Sequence, residues 1–305
     1  SAKPGAALIQ TDATVSSDGA GHGFASTAIS ITSDLTGTFY ARWFVTTNGT
    51  VAVSRAARFT VFSADPSAET FTSLNAASLT KGTVARGSIV SGFGTNLAAA
   101  TVSAPAGTLP TTLGAMRVSI TDRNGVSTNA PLFFVSAGQV NYLVPATLSE
   151  GEATVSVFRA DAIVASGKLQ IAGLAPSLFT ANSNGRDAAA ALVAQAPAAG
   201  AQTTSSTVTF DAGLQRYVPQ PIALGGVNDQ TFLLLFGTGI RGANSVTATI
   251  GDTAVDVLYS GPQNQYEGLD QVNLRLPRSL AGRGEMDVAL WVDGVRANTV
   301  RISVQ

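Results

Sequence analysis

The chain of 305 residues contains no cysteine, and charged residues make up only 12% of it. Without cysteine there are neither disulfides nor thiol chemistry, so burial alone must hold the fold. Soluble domains usually carry about 25% charged residues, so this surface is polar but weakly charged. The net charge is −1, and lysine and arginine residues are scattered singly. Because no basic patch is present, we expect no nucleic-acid partner.

Histidine is almost absent as well, since His22 in the segment GAGHGF is the only one. A Ser-His-Asp triad or a multi-histidine zinc site would have to include it, and a solvated loop histidine is the favoured interpretation. Asp12, Asp18 and Asp34 could offer oxygen ligands to calcium, but they lack the regular loop spacing, so turn and cap roles are favoured. We therefore predict no enzyme activity and no catalytic, metal or cofactor-binding residue.

Two further motifs suggest chemistry only at first sight. Glu267 and Asp270 could form a glycosidase pair, but no second acid is placed opposite them, and we expect loop and strand-edge residues. The Gly-Thr segments at 94–95 and 237–239 lack the following lysine and helix of a phosphate-binding loop.

Long hydrophobic runs are missing. The longest run of bulky apolar residues, Phe232–Phe236, is far shorter than the roughly 18 residues of a membrane-spanning helix, so we expect no membrane span. The chain starts at Ser1 without a leader. Ser1 is consistent with the mature N-terminus of a secreted, extracellular or cell-surface protein, although an artificial cut there would look the same.

Strand signals fill the chain instead. Short alternating runs rich in Val, Ile, Thr, Phe and Tyr are separated by clusters of Gly, Asn, Asp and Pro, which predicts an all-β fold of tandem immunoglobulin-like sandwiches. Asn48-Gly49 predicts a two-residue hairpin turn, and Asn124-Gly125 and Asp293-Gly294 mark two more hairpins. The Ala-rich segment Asp187–Ala196 fits a helix or a strand equally well.

An internal repeat organises the second part of the chain. SIVSGFGTNL (88–97) is similar to TFLLLFGTGI (231–240), and GQVNYLVP (138–145) is similar to DQVNLRLP (270–277), in the same order. We expect two related sandwiches that superpose with Phe93 on Phe236 and Val140 on Val272, and with both pairs buried. The first copy has extra residues, which we place in the loop Ala104–Thr112.

Six ordered segments carry a resemblance to a known family. They are Gly87–Ala98, Leu109–Ile120, Pro131–Pro145, Leu174–Ala190, Gln230–Gly242 and Gly268–Gly284. From about Thr80 to Gln305 the chain resembles a Solibacter-type C-terminal module of large secreted acidobacterial proteins. The Gly-Thr-Asn corner also resembles the Ig-like folds of transcription-factor and cell-surface receptor (TIG) type. The resemblance implies a sandwich fold and secretion, but no catalytic residues. We expect one sandwich at 67–175 and a second at 176–305, the latter beginning with a linker.

Residues 1–66 resemble the last three strands of a fibronectin type III domain, with Tyr40 at the corner position. Such a sandwich needs about seven strands, so the module looks incomplete. An unpaired edge recruits a further strand. Donors could be Ala6–Val15 of a neighbouring copy, an edge strand of a neighbour's C-terminal sandwich, or Ala188–Gln195 of the same chain. Alternatively, an upstream half of the domain was lost by proteolysis or omitted.

The predicted function is that of an extracellular structural or adhesive protein, a self-assembling surface filament subunit completed by strand donation, with self-association through β-strand edges. The alternative is a polysaccharide-binding module or an accessory region of a larger secreted protein. Sugar-stacking candidates are Tyr40, Trp43, Tyr217, Tyr266 and Trp291. Because aromatic residues are few and dispersed, packing in the core is favoured for them.

Overall fold

The computed structural model describes residues 70–305 in full and, before them, the backbone of six short strands between residues 14 and 61. The chain forms two compact units, Ser1–Asp65 and Pro66–Gln305. Several residues singled out in the sequence lie outside the described residues. They are Asn48-Gly49, most of the segment Ala6–Val15, Asp12, Asp18, His22, Asp34, Trp43 and the side chain of Tyr40.

The first unit contains three antiparallel strand pairs. The strands are β1 (Thr14–Ser17), β2 (Gly23–Ser26), β3 (Gly37–Ala41), β4 (Phe44–Thr47), β5 (Thr50–Val53) and β6 (Ala57–Val61). The pairs are β1 with β2, β3 with β6, and β4 with β5. Thr47 lies opposite Thr50, which is the register that a two-residue connection requires.

The second unit begins with ten strands around one hydrophobic core. They are β7 (Thr72–Asn75), β8 (Thr83–Ala85), β9 (Ile89–Phe93), β10 (Val102–Ser103), β11 (Met116–Thr121), β12 (Ser127–Ala130), β13 (Leu132–Val135), β14 (Gln139–Leu143), β15 (Gly151–Arg159) and β16 (Ala162–Ala172). Two five-stranded sheets, ordered β10-β13-β14-β9-β7 and β12-β11-β15-β16-β8, face each other across this core.

Fourteen further strands complete the unit. They are β17 (Ser177–Leu178), β18 (Ala191–Ala196), β19 (Thr203–Ser206), β20 (Val208–Asp211), β21 (Arg216–Pro219), β22 (Pro221–Ile222), β23 (Gln230–Thr238), β24 (Val246–Ile250), β25 (Thr253–Val255), β26 (Val257–Pro262), β27 (Asp270–Arg275), β28 (Gly284–Val292), β29 (Val295–Arg296) and β30 (Val300–Val304). A single 3₁₀ turn, Arg278–Leu280, is the one helical element in residues 70–305. The prediction of an all-β fold of tandem sandwiches is confirmed.

The two sandwiches share one topology. Strands β18-β23-β27-β26 of the second copy correspond to β7-β9-β14-β13 of the first, while β19 and β10 are extra edge strands; β25-β24-β28-β30-β22 corresponds to β12-β11-β15-β16-β8. Even the parallel pairing recurs, because β8 runs parallel to β16 and β22 runs parallel to β30. The connection from β9 to β11 spans residues 94–115, whereas its counterpart from β23 to β24 spans only 239–245.

The register of the two copies matches as the repeat predicts, but one predicted burial is wrong. Phe93 pairs with Gln139, and Phe236 pairs with Gln271. Val140 and Val272 are fully buried, whereas Phe93 and Phe236 are only partly buried. The reason is the alternation of strand side chains. The phenylalanines lie opposite the glutamines and share their outer face, while the valines point inward.

The open choice at Asp187–Ala196 is resolved as a strand. Ala191–Ala196 forms β18, which pairs with both β23 and β19. This pairing corrects one donor candidate, because most of Ala188–Gln195 already completes its own sandwich and is not available to another module. Asp293-Gly294 forms the predicted two-residue turn, with both residues at positive φ and Val292 opposite Val295.

The core of the first sandwich contains one polar pair. Tyr142 is fully buried, and its hydroxyl lies 2.8 Å from the hydroxyl of Ser73, which is 3% exposed. Burial raises the pKa of the Tyr142 phenol because the charged form would be desolvated. The second sandwich has Leu274 at the position of Tyr142, so this hydrogen bond belongs to the first copy alone.

We expect Tyr142→Phe to lower the free energy of unfolding by about 1–2 kcal/mol, because Ser73 then keeps a buried hydroxyl without its partner. The double variant Ser73→Ala/Tyr142→Phe removes both polar groups and should recover most of this loss. Urea unfolding of the unaltered protein, Ser73→Ala, Tyr142→Phe and the double variant measures the coupling energy between the two hydroxyl groups. A double variant as unstable as the sum of the singles would show that the hydroxyl pair is not coupled.

Candidate interaction surfaces

A joint between the two sandwiches is built around the Gly-Thr corner of the second copy. Thr238 is fully buried at the end of β23. Its Oγ1 accepts a hydrogen bond from the backbone N–H of Ile89, at 2.9 Å, and donates one to the carbonyl oxygen of Gly268, at 2.8 Å. One side chain thereby links β9 of the first sandwich to the loop before β27 of the second.

Glycine makes the close approach at this joint possible. A Cβ on Gly268 would lie 2.5 Å from Leu143 Cδ1 and 2.7 Å from Ile89 Cγ1, both in the first sandwich. A Cβ on Gly239 would lie 2.4 Å from the carbonyl oxygen of Ala175. Both glycines also have positive φ, which side chains disfavour. The joint is therefore packed too closely for any larger residue at these two positions.

An ion pair between a buried carboxylate and a partly exposed arginine stabilises the same corner within the second sandwich. Arg241 Nε lies 2.7 Å from Asp270 Oδ1, and the other carboxylate oxygen accepts the backbone N–H groups of Ile240 and Arg241. Burial raises the pKa of Asp270, while these hydrogen bonds and the guanidinium act in the opposite direction. Asp270 lies at a strand end, as its sequence position suggests. It begins β27 but is fully buried, whereas Glu267 is exposed, so the two do not share a cleft.

The corresponding corner of the first copy lacks these contacts. Thr95 occupies the position of Thr238 and is exposed, and Gly138 stands where the second copy has Asp270. The two corners share backbone geometry through their common sequence motif. Only the second carries the threonine bond and the ion pair, so the joint is a specialisation of that copy.

We expect Thr238→Val to lower the free energy of unfolding by about 2 kcal/mol, because the substitution removes the partner of the Ile89 N–H and of the Gly268 carbonyl at a buried side chain. The matched control is Thr95→Val, which changes an exposed residue at the same position of the repeat and should be nearly neutral. Denaturant unfolding compares the two variants. Equal losses would contradict a bonding role specific to Thr238.

The second sandwich has an unprotected edge strand, β19. All four residues of β19 are exposed, and the strand is uncharged, contains no proline and pairs with β18 without a bulge. The hairpin β20–β21 follows at once and forms a separate two-stranded sheet. Its Phe210, Leu214 and Tyr217 are 51%, 57% and 44% exposed.

The hairpin is held to the sandwich at its base. The side-chain amide of Asn182 donates to the carbonyl oxygen of Tyr217 at 2.9 Å and accepts the N–H of the same residue at 2.8 Å. Arg216 lies 3.8 Å from Asp187. Phe210 and Tyr217 pack edge to face with ring centroids 5.4 Å apart. These contacts hold the hairpin, and with it the exposed apolar side chains, against the rest of the sandwich.

The repeated Gln-Val-Asn motif forms the same surface feature in both sandwiches. Gln139 Nε2 donates to Asn141 Oδ1 at 2.8 Å, and Gln271 Nε2 donates to Asn273 Oδ1 at 2.8 Å. Each pair stands on the outer face of its sheet, because the valine between the two amides points inward. We call these the first and the second amide ladder.

An open groove runs along the second amide ladder. It is lined by Gln271 and Asn273 together with Tyr259, Pro262, Gln263 and Asn264, and encloses about 430 Å³ of space that includes solvent. None of these side chains is charged. Tyr259 lies directly opposite Asn273 on the neighbouring strand β26.

The aromatic residues singled out in the sequence fall into different places. Tyr217 and Tyr266 are 44% and 64% exposed, so the favoured interpretation of core packing was wrong for both. Trp291 is half-buried, with the Arg296 guanidinium 5.5 Å from its ring centre. Tyr259 was not among the candidates, because its importance comes from a cross-strand neighbour that is distant in sequence.

Two absences concern only the described part of the chain. No group of three or more His, Cys, Asp or Glu side chains gathers there to form a metal site. Among the same residues there is no helix with the length and apolar composition needed to cross a bilayer.

No protein-family model matches the chain, and no curated protein matches it. Among solved structures, the chain is similar to surface layer protein SbsC, domains 4–9, at 14% identity and a TM-score of 0.24. The alignment covers 88% of this chain and 35% of that one, so the chain spans about a third of that structure. A likeness this distant leaves function to be argued from the residues themselves, and the resemblance to the Solibacter-type module stays a prediction.

Proposed function

We propose that this chain is an extracellular structural protein that self-associates through β-strand edges, as the subunit of a surface filament. The observation that carries the proposal is the exposed edge strand β19 with the apolar hairpin beside it. Its extracellular location is supported by the resemblance to secreted modules described above.

Edge strands are usually protected against pairing with other chains by charge, proline, bulges or short length. Several other edges of this unit follow that rule, although the outer strand β7 (TSLN) is also uncharged and contains no proline. β26 has a register shift and ends at Pro262, β12 is followed by Pro131, and β10 and β22 have two residues each. β19 has no such protection along its four residues. Its outer N–H and C=O groups are open to a strand from another copy, which is one of the predicted forms of strand donation.

The hairpin supplies what backbone pairing alone lacks. Edge pairing provides hydrogen bonds but little apolar burial, and burial is the main favourable term in association. Phe210, Leu214 and Tyr217 offer three large exposed apolar side chains on the hairpin that follows β19 in the chain. A partner that pairs with β19 would cover them as well.

The joint between the sandwiches gives such an association a direction. Because Thr238 of the second sandwich bonds to Ile89 of the first, a contact made by β19 orients the whole of residues 70–305. A contact between an edge on one copy and a different edge on the next copy is heterologous, and it propagates as a filament unless its rotation closes a ring.

The experiment replaces two exposed edge residues in the double variant Thr204→Lys/Ser205→Lys. Lysine on an edge disfavours pairing through charge, so we expect this protein to remain monomeric at concentrations where the unaltered protein forms filaments. Sedimentation velocity and negative-stain imaging over a concentration series measure assembly. The hairpin variant Phe210→Ser/Leu214→Ser should raise the concentration needed for assembly at least tenfold.

The matched control is Ser127→Lys/Asn129→Lys, which places the same charge on the proline-bounded edge β12 and should assemble normally. An unaltered protein that stays monomeric throughout the series contradicts the proposal. Equal loss of assembly in the control would show that added charge, and not the β19 edge, is responsible.

A further inference from the structure

The groove beside the second amide ladder has features of a ligand site that self-association does not explain. It lies at β26, and in the sheet β19-β18-β23-β27-β26 this strand forms the edge opposite to β19. The β19 edge itself does not include it. We propose that this groove binds a neutral carbohydrate chain.

The tyrosine in the groove is held in one orientation. The Tyr259 hydroxyl donates a hydrogen bond to the carbonyl oxygen of Pro262. The ring lies across Gly261, where an added Cβ would come within 3.2 Å of the Tyr259 hydroxyl oxygen. The ring is 38% exposed even so. A fixed, partly exposed aromatic face is a preformed platform for the C–H face of a sugar ring, because little side-chain entropy is lost on binding.

The amide ladder supplies donors and acceptors together. After the bond within the ladder, Gln271 keeps its side-chain oxygen and one N–H, and Asn273 keeps two N–H groups. Neither side chain has another hydrogen-bonding partner in residues 70–305, and the Asn264 amide forms no side-chain hydrogen bond there. Sugar hydroxyl groups both donate and accept, so a row of amides is a suitable partner for several of them in sequence.

The neutrality of the lining selects against charged ligands. Sites for phosphate, sulfate or carboxylate groups use arginine or lysine, and the six lining residues include neither. Arg275, further along β27, is directed toward Asp256, 3.8 Å away. The groove therefore favours a neutral glycan over a uronate or a sulfated chain.

Aromatic residues flank the ladder on both sides. Phe236 lies opposite Gln271 on β23, and Tyr259 lies opposite Asn273 on β26. Tyr266, 64% exposed, belongs to the same loop as Gln263 and Asn264. Gln263 Oε1 shapes that loop by accepting the N–H groups of Gln265 and Tyr266. The ring of Tyr266 is therefore part of a turn that Gln263 shapes, and it is exposed to solvent.

The first amide ladder offers an internal control. Gln139 and Asn141 have the same spacing and the same 2.8 Å bond, but the residue opposite Asn141 is Phe134, which has no hydroxyl to anchor it. If amides alone bound the ligand, both ladders would act. If the anchored tyrosine is required, only the second ladder acts.

The test uses the whole chain in affinity electrophoresis through gels containing soluble xylan, β-glucan, galactomannan or starch, with alginate as the charged comparison. Isothermal titration with the hexasaccharide of any retarding polymer follows. We expect retardation by at least one neutral polymer and none by alginate. Tyr259→Ala and Gln271→Ala should each weaken binding at least tenfold, and Gln139→Ala should leave it unchanged.

Two further variants complete the test. Tyr259→Phe keeps the ring but loses its anchor, and we expect a smaller loss than with alanine. Asn273→Ala retains a readout if Tyr259→Ala fails to fold, as thermal unfolding would show. Absence of retardation by all four neutral polymers overturns the proposal, as does an equal loss in Gln139→Ala and Gln271→Ala or retardation by alginate alone. Because Thr204→Lys/Ser205→Lys leaves the groove intact, failure of binding and failure of assembly are distinguishable.

Discussion

The hydroxyl of Thr238 is the contact on which the arrangement of the two sandwiches depends. It bonds to a backbone group of each sandwich in a site without solvent, where an unpaired group would be costly. A chain without cysteine has no covalent link to hold its modules. Here the hydrogen bond of Thr238 and the close packing of Gly268 against Ile89 and Leu143 join the two sandwiches. The relative position of the sandwiches is consequently set by noncovalent contacts that form when the chain folds.

The sheet formed by β19, β18, β23, β27 and β26 has two opposite edges with different surfaces, and the joint fixes the orientation of both. At one edge, β19 and the hairpin present unpaired backbone and large apolar side chains. At the other, Tyr259 and the second amide ladder present an uncharged groove. Edge pairing and ligand binding require different chemistry, and the two edges are separated by the width of the sheet. One sandwich could thus take part in both without competition.

The two copies of the repeat have diverged where their surroundings differ. Gly92 in the first copy leaves room for Phe71, whose ring would lie 2.0 Å from a Cβ at that position, whereas the second copy has Leu235 there. Tyr142 with its partner Ser73 is replaced by Leu274. Each sandwich fills the same interior volume with different side chains, as close packing requires. The outer amide ladders, by contrast, are retained in both.

The amino-acid sequence determined the local features of this protein. Alternation of apolar residues specified the strands, Asp293-Gly294 specified its turn, and the paired motifs specified the register of the two copies, because each depends on residues close in the chain. The placement of Val140 and Val272 inside the core followed from the same pattern. The strand at 191–196 was left open because an alanine-rich run carries no period.

Tertiary structure alone decided which surfaces face solvent and which groups meet. Phe93 and Phe236 lie on the outer face because their cross-strand partners are Gln139 and Gln271. Tyr259 lies beside the second amide ladder because it is the cross-strand partner of Asn273. Asp270 is buried because Arg241 and the corner of β23 close over it, although its local sequence resembles an exposed loop. These properties depend on pairings between residues far apart in the chain, which no local pattern encodes.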